Sequence, residues 1–483
     1  MFTFTGFRDG HCHPLFAVRE GEGPDVSGCQ SVAELIDLLS QFLMNNPDSV
    51  WIDCGSYSPQ LAPHSGSGDA IQLVRYALDS VSNSVPIVVH AEDHHSIWVN
   101  SAALERAGFG TSAPALSTAR FETDSDGVPT GVVQEWDAMS LIYEQQPKPS
   151  LQSDLDALER AQNRLLATGV VAVQDAWIDR GMELPYLAAA ESDLLRLRVN
   201  LAVRIDPKQW RVDFEFAKQV RSQCRAVKST HGRSLLTANT VKIFIDGVFT
   251  SQTAYLRDEY CCGGHGQALW EPHDLAEMAL AADSAGFQLH FHAVGDAAVS
   301  MALDAIESVD LNNGPADRRP VLAHADLIPE TEFSRLRGLG VIACVQPAWA
   351  VTGEATNQLS SILGSERARS LYPLRQLLDS RIPVSFGSDW PVSPPETCFA
   401  IIGAEYRQTP TLTDPPYWPE HALSRAESLR AHSTTVAYQL GQEAVMFEDA
   451  VEFDTDLANC TPLEMQTATV TKATVAGRVV WPL

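Results

Sequence analysis

The chemistry of this chain starts with two histidines one residue apart, His11 and His13, at the end of the short run Gly6-Phe7-Arg8-Asp9-Gly10. Three apolar runs finish in the same manner. Gln288-Leu289-His290-Phe291-His292-Ala293 and Val321-Leu322-Ala323-His324-Ala325 end in histidine, and Val384-Ser385-Phe386-Gly387-Ser388-Asp389 ends in a carboxylate. Side chains two residues apart on a strand share a face, so His11 and His13 can reach one ion. A His-x-His pair alone is weak evidence and reads more readily as exposed surface; it gains weight from His292, His324 and Asp389 at three further strand ends. Imidazole nitrogens with a carboxylate oxygen suit Zn²⁺, with Mn²⁺, Fe²⁺ or Co²⁺ as alternatives. A carboxylate beside the ion can take a proton from water and later deliver it to a leaving amine, while the ion polarises a carbonyl. Together these residues make a hydrolytic set.

Lys242 adds to it. It is one of only six lysines and sits inside the apolar run Thr240-Val241-Lys242-Ile243-Phe244-Ile245-Asp246. A buried ammonium is costly unless paired or changed. Either it pairs with Asp246 or another carboxylate nearby, or its neutral amine adds CO₂ to become an anionic carbamate able to bridge two ions.

Such groups must be presented at the exits of separate strands, which is the carboxyl-terminal mouth of a parallel barrel. Strands are expected at residues 3–9, 170–173, 195–203, 241–245, 288–293, 321–325, 341–346 and 384–387, most of them separated by helical patterns. The fold class is α/β, a (β/α)8 TIM barrel. Residues 1–440 carry it, with a large insertion after the first strand at about 31–150. Within the insertion, strands are expected at 50–54 and 85–90 and a hairpin around Asp126-Gly127. Helices are expected at 31–46, opened by the capping box Ser31-Val32-Ala33-Glu34, and at 96–107. Residues 441–483 form a small, incomplete C-terminal β accessory segment.

The net charge of −27 excludes nucleic-acid binding, which needs a basic surface. Nine scattered cysteines with no C-x-x-C pair give neither a disulfide framework nor a zinc knuckle and point to a cytoplasmic setting. Neither a secretory signal nor a membrane span is visible. The expected partner is a small-molecule substrate, with no nucleic acid and no membrane; assembly into a homo-oligomer stays open.

The motifs ending in His11-Cys12-His13, Val241-Lys242-Ile243-Phe244-Ile245-Asp246-Gly247, His292-Ala293-Val294-Gly295-Asp296 and Gly387-Ser388-Asp389-Trp390-Pro391-Val392 together resemble the amidohydrolase superfamily. Within it they are similar to the amidohydrolase-3 branch, the YtcJ-like proteins that include N-substituted formamide deformylase. Asp93-His94-His95-Ser96-Ile97-Trp98-Val99-Asn100-Ser101 matches another motif of that branch. The resemblance implies two divalent metal ions, Zn²⁺ first, bridged by carbamylated Lys242. His11 and His13 would hold the more buried ion, His292 and His324 the more exposed one. Asp389 would be both metal ligand and catalytic base, then acid. The activity implied is metal-dependent cleavage of a C–N bond of amide, N-formyl or N-acyl type. His95 and Asn100 become candidates for the substrate pocket, and Trp98 and Trp349 join them as apolar contacts. The loops Gly55–Gly68, Ala91–Asn100 and Gly247–Leu269 would set specificity. His290 is expected to face away from the site, or to lie one layer off, in a structural role. An accessory sandwich is expected to be at best half present, because the first barrel strand is expected to open the chain. The alternatives are a mononuclear deaminase, with His11, His13, His292 and Asp389 on one ion, and a non-catalytic barrel.

Overall fold

A computed structural model describes residues 1–57, 61, 68–116, 119–227 and 234–482. It contains two compact units, residues 1–15 with 151–483, and residues 16–150. The larger unit is built on eight strands: β1 (Phe7–Cys12), β2 (Val170–Ile178), β3 (Arg198–Arg204), β4 (Leu236–Phe244), β5 (Gln288–Ala293), β6 (Val321–His324), β7 (Ile342–Val345) and β8 (Val384–Phe386). They form one sheet in that spatial order, and every pair is parallel. Helices such as Trp210–Ala226, Pro272–Ser284 and Asp296–Asn313 lie between successive strands, as a parallel crossover demands. The strands are rich in Val, Ile, Leu and Ala and almost wholly buried, because helices cover one face and packed side chains fill the other. This is the (β/α)8 architecture that the spacing predicts.

The last and first strands meet through their ends rather than a ladder. The Asp389 N–H donates to the His11 carbonyl at 2.7 Å, and the His13 N–H donates to the Trp390 carbonyl at 2.8 Å. Below them the buried Gln439 side chain spans the seam, donating to the Gly10 carbonyl at 2.8 Å and accepting from the Ser385 hydroxyl at 2.6 Å.

The chain opens differently from the expectation. Phe2–Phe4 is a separate strand, set off from β1 by Gly6 at φ +79°. It pairs antiparallel with Ala450–Phe453, which continues through Val470–Val475 to Arg478–Trp481 as a four-stranded sheet. The C-terminal strands thus have the partner that their number alone did not provide. Asp449 fixes this sheet to the barrel: it accepts from Arg8 of β1 at 2.8 Å and from Arg198 of β3 at 2.9 and 3.0 Å, all three side chains being buried.

The unit of residues 16–150 has a five-stranded sheet in the order Ile52–Tyr57, Ile87–Ala91, Ser96–Val99, Pro129–Gln134, Arg120–Thr123. Its first pair is parallel and the rest antiparallel. One face packs Leu35, Leu39, Leu78 and Trp98, the other Val88, Ile97, Phe121 and Ile142. The helix expected over 96–107 begins instead as strand Ser96–Val99, whose Ile97 and Trp98 serve opposite faces. Asn100 then caps the short helix Ser101–Arg106 by accepting from the Ala103 N–H. Of the expected specificity loop 55–68, residues 58–60 and 62–67 lie outside the described residues.

Among the described residues no helix is long and apolar enough to cross a membrane. All nine cysteines are free thiols.

Two stability outcomes follow from these contacts. Asp449→Asn leaves two buried guanidinium groups without their carboxylate and should cost about 3–5 kcal/mol in denaturant unfolding. His432 is sealed between Phe7 and Phe386, its ring N–H on the Arg8 carbonyl at 2.9 Å, and burial depresses its pKa from 6.5 to about 4. A base whose folded pKa is depressed binds its proton more readily when unfolded. Stability is therefore intact above pH 6.5 and should fall by roughly 3 kcal/mol as pH drops through 4. Urea midpoints measured across that window should flatten in His432→Gln.

Candidate metal centre at the barrel mouth

Strand alternation and the β4–β5 register put the chemistry in layers. Lys242 lies opposite His290, and Phe244 opposite His292, so His290 and His292 both point into the barrel, one layer apart. His290 does not face away: its Nε2 is 2.9 Å from His11 Nδ1. It supports His11 from below, with the opposite ring nitrogen of His11 left toward the mouth.

That nitrogen, His11 Nε2, is 3.3 Å from Lys242 Nζ and 3.3 Å from Asp389 Oδ1, and His13 Nε2 is 2.8 Å from the same oxygen. Ring centroids of His11 and His324 are 5.0 Å apart, and those of His292 and His324 are 4.4 Å apart. All six residues read as ligands from their positions in the chain thus converge. One ligand atom each of His11, His324 and Asp389 lie within 4.8 Å of one another.

Two of the expected ligand positions need backbone outside the usual range. Asp389 has φ +55°, and His324 and Ala325 follow each other at +72° and +50°. Non-glycine residues in the left-handed region cost energy and cluster at functional sites. Here the turns swing Asp389 and His324 over the strand ends.

Lys242 is fully buried with its ammonium over the Phe244 ring, and among the described residues no carboxylate oxygen lies within 4.0 Å of it. Burial pulls its pKa down to about 7 against the pull of Asp389. The pairing with Asp246 considered from sequence is not made. Asp246 accepts instead from the N–H groups of Val294, Gly295 and Tyr255 at 2.8–3.1 Å, tying the loop after β4 to the end of β5. Burial would raise the Asp389 pKa, but the imidazoles of His11 and His13 hold it well below the usual carboxylate range. His11, desolvated beside Lys242, is held neutral, as a ligating imidazole must be.

A family model for the amidohydrolase family matches residues 2–481. The chain belongs to this family. The amidohydrolase is 27% identical over 450 residues to Protein LONG AFTER FAR-RED 3 of Arabidopsis thaliana, covering 89% of this chain and 73% of that protein. It is 25% identical over 494 residues to N-substituted formamide deformylase of Arthrobacter pascens, covering 98% and 87%. A solved uncharacterized metal-dependent hydrolase from Pyrococcus horikoshii OT3 shares the fold at a TM-score of 0.70, with 20% identity over 95% of this chain and 87% of that one. Family membership carries with it hydrolysis of small molecules and a divalent metal.

The residues present in this amidohydrolase fit such an ion: a neutral imidazole, further imidazoles and an anionic carboxylate meet in a buried site. The surroundings also hold polar atoms with no protein partner. Gln346 is buried, with Oε1 on His324 Nδ1 at 3.0 Å and Nε2 unsatisfied, and Asp326 is buried with Oδ1 unsatisfied. Trp349 stacks on the His324 ring at 5.3 Å with an interplanar angle of 6°.

Three residues of the site are not singled out by the sequence. Asp9 accepts from the backbone of His11 and Ser388 at 3.0 Å and from the Ser388 hydroxyl, holding both ends of the seam. It lies between Arg8 and Gly10 in β1, where nothing local marks it as the residue that spans the seam. Gln346 and Asp326 follow β7 and β6 without a motif of their own; their closeness to a strand end was the one available clue. The residues assigned to substrate from the insertion motif belong to the other unit. There Asn100 is occupied: its oxygen accepts from Ile87 and Ala103, and its amide donates to Ser82 and Val85. Trp98 is buried and stacked on Tyr57 at 3.9 Å. His95 Nδ1 is 3.0 Å from Glu135.

Gly387 permits the seam. A Cβ there would lie 2.6 Å from His11 Cβ and 2.8 Å from His11 N. Gly387→Ala should fold but lose about 1–3 kcal/mol to overpacking and shed metal during dialysis, checked by denaturant unfolding and elemental analysis.

Proposed function

We propose that this amidohydrolase cleaves a C–N bond of amide, N-formyl or N-acyl type in a small molecule. The observation that carries the reading is the meeting of His11, His13, Lys242, His292, His324 and Asp389 at one mouth. Similarity to N-substituted formamide deformylase over 98% of the chain supports the bond type.

His11 and His13 would hold one ion and His292 and His324 a second, with Lys242 as a carbamate between them. The amine of Lys242 suits that role, being buried, 3.3 Å from His11 and, among the described residues, without a carboxylate within 4.0 Å. Bound metal supplies Lewis-acid charge stabilisation and lowers the pKa of water. The chain's own residues do the rest. Asp389, kept anionic, accepts a proton from the attacking water and returns it to the departing nitrogen. Gln346 fixes the orientation of His324, and Trp349 offers a flat apolar wall to a substrate group beside the scissile bond. Trp98 and Asn100 are better read as packing and capping than as substrate contacts. Nine free thiols suit a cytoplasmic setting.

Asp389→Asn should lower turnover of a formamide or acyl-amine substrate by about 10²–10⁴-fold while metal content stays near that of the parent. Undiminished hydrolysis would remove Asp389 from the proton transfer. Labelled bicarbonate should give a carbamate resonance that Lys242→Ala lacks; one metal per chain without that resonance would favour a mononuclear deaminase.

A further inference from the structure

A second group of imidazoles and carboxylates meets inside the unit of residues 16–150. Glu20 ends the helix Pro14–Glu20, Asp53 and His90 come from the parallel strands Ile52–Tyr57 and Ile87–Ala91, and His94 follows the latter. Asp53 pairs with Val88, two residues before His90, so Asp53 and His90 share a face of the sheet. His94 Nε2 is 2.6 Å from Glu20 Oε2, and His90 Nε2 is 2.6 Å from Asp53 Oδ1. The two rings are 5.5 Å apart, and one ligand atom each of Glu20, His90 and His94 lie within 4.8 Å of one another. These side chains keep 12–19% exposure, enough for an ion to enter.

Charge, backbone and outer contacts agree on what this arrangement takes. Among the described residues no lysine or arginine lies within 4.0 Å of Glu20 or Asp53, whose ion-pair partners are His94 and His90. Burial opposes protonation of His90 but Asp53 raises its pKa to about 9, so a divalent cation would enter by displacing imidazole protons, leaving two carboxylates whose charge it balances. His94 holds its ring there from a left-handed backbone at φ +57°. Gly55 makes room for the Glu20 carboxylate: a Cβ on Gly55 would fall 1.4 Å from Glu20 Oε1. The Tyr143 hydroxyl is 3.2 Å from His90 Nδ1, and Gln146 donates to Asp53 Oδ2 at 2.9 Å. Outer partners on the far atoms of an imidazole and a carboxylate are the means by which proteins orient metal ligands.

We propose that Glu20, His90 and His94, with Asp53 beside them, form a divalent-cation site of the Zn²⁺ class built wholly from residues 16–150. Its ligands are distinct from the barrel set, and it stands whether or not the barrel chemistry is as proposed above. Imidazole nitrogen with carboxylate oxygen is the donor set of zinc sites, and the ion would clamp the end of helix Pro14–Glu20 onto the sheet.

The test uses the full chain, stripped with a chelator, reloaded with Zn²⁺ alone, gel-filtered and analysed for zinc per chain. His90→Ala/His94→Ala should hold one zinc fewer than the parent, whereas His292→Ala/His324→Ala should keep that zinc and lose barrel metal. Glu20→Gln and Gly55→Ala, both folded by circular dichroism, should weaken this one zinc about 10–100-fold in chelator competition. These two decide the matter if the double histidine variant fails to fold. Equal zinc in parent and His90→Ala/His94→Ala, or unchanged affinity in Glu20→Gln, overturns the site.

Discussion

The join between β8 and β1 is the constraint on which the rest of the molecule turns. Two backbone hydrogen bonds, Asp389 to His11 and His13 to Trp390, close the barrel and in the same step bring a carboxylate against two imidazoles. Parallel closure of this kind has no regular ladder to enforce it, so side chains do part of the work. Asp9 grips both sides, Gln439 reaches across from a helix beyond the barrel, and Gly387 has no side chain to keep the strands apart. The architecture and the site are therefore one set of contacts seen at two scales.

Desolvation then sets the character of the groups so gathered. Lys242 is enclosed with an aromatic ring and an imidazole and, among the described residues, no carboxylate at ion-pair distance; burial lowers its pKa to about 7 against the pull of Asp389. Asp389 is enclosed as deeply, yet two imidazoles keep it charged. An amine that sheds its proton more readily than in water thus stands near an acid held anionic more firmly than in water, the kind of perturbed set that gathers at functional sites.

Much of this was legible in the chain. Eight strand patterns with helical spacers specify a parallel barrel, and polar residues at strand exits can only lie at its mouth. The alternation rule that places His11 with His13 also places His290 with His292, so the inward direction of His290 was available from the same reasoning. Other features depend on partners far away in sequence. Nothing near Asp9 indicates that Ser388 will be its neighbour, and nothing near Gln346 indicates His324. Asn100 shows the converse: a motif that resembles a binding element is, in its contacts, a helix cap joined to three backbone segments. Phe2–Phe4 is too short to read as a strand without knowing that Ala450–Phe453 awaits it.

That last pairing bears on the order of assembly. A ribosome releases residues 2–4 hundreds of residues before their hydrogen-bonding partners exist, and β1 likewise precedes β8 by nearly the whole polypeptide. During synthesis both strands wait with unsatisfied amides for partners made last, and long-range pairing of this kind is slow and leaves intermediates exposed. The residues 16–150, whose contacts are chiefly with one another, are free to become native early, before most of the barrel has been made.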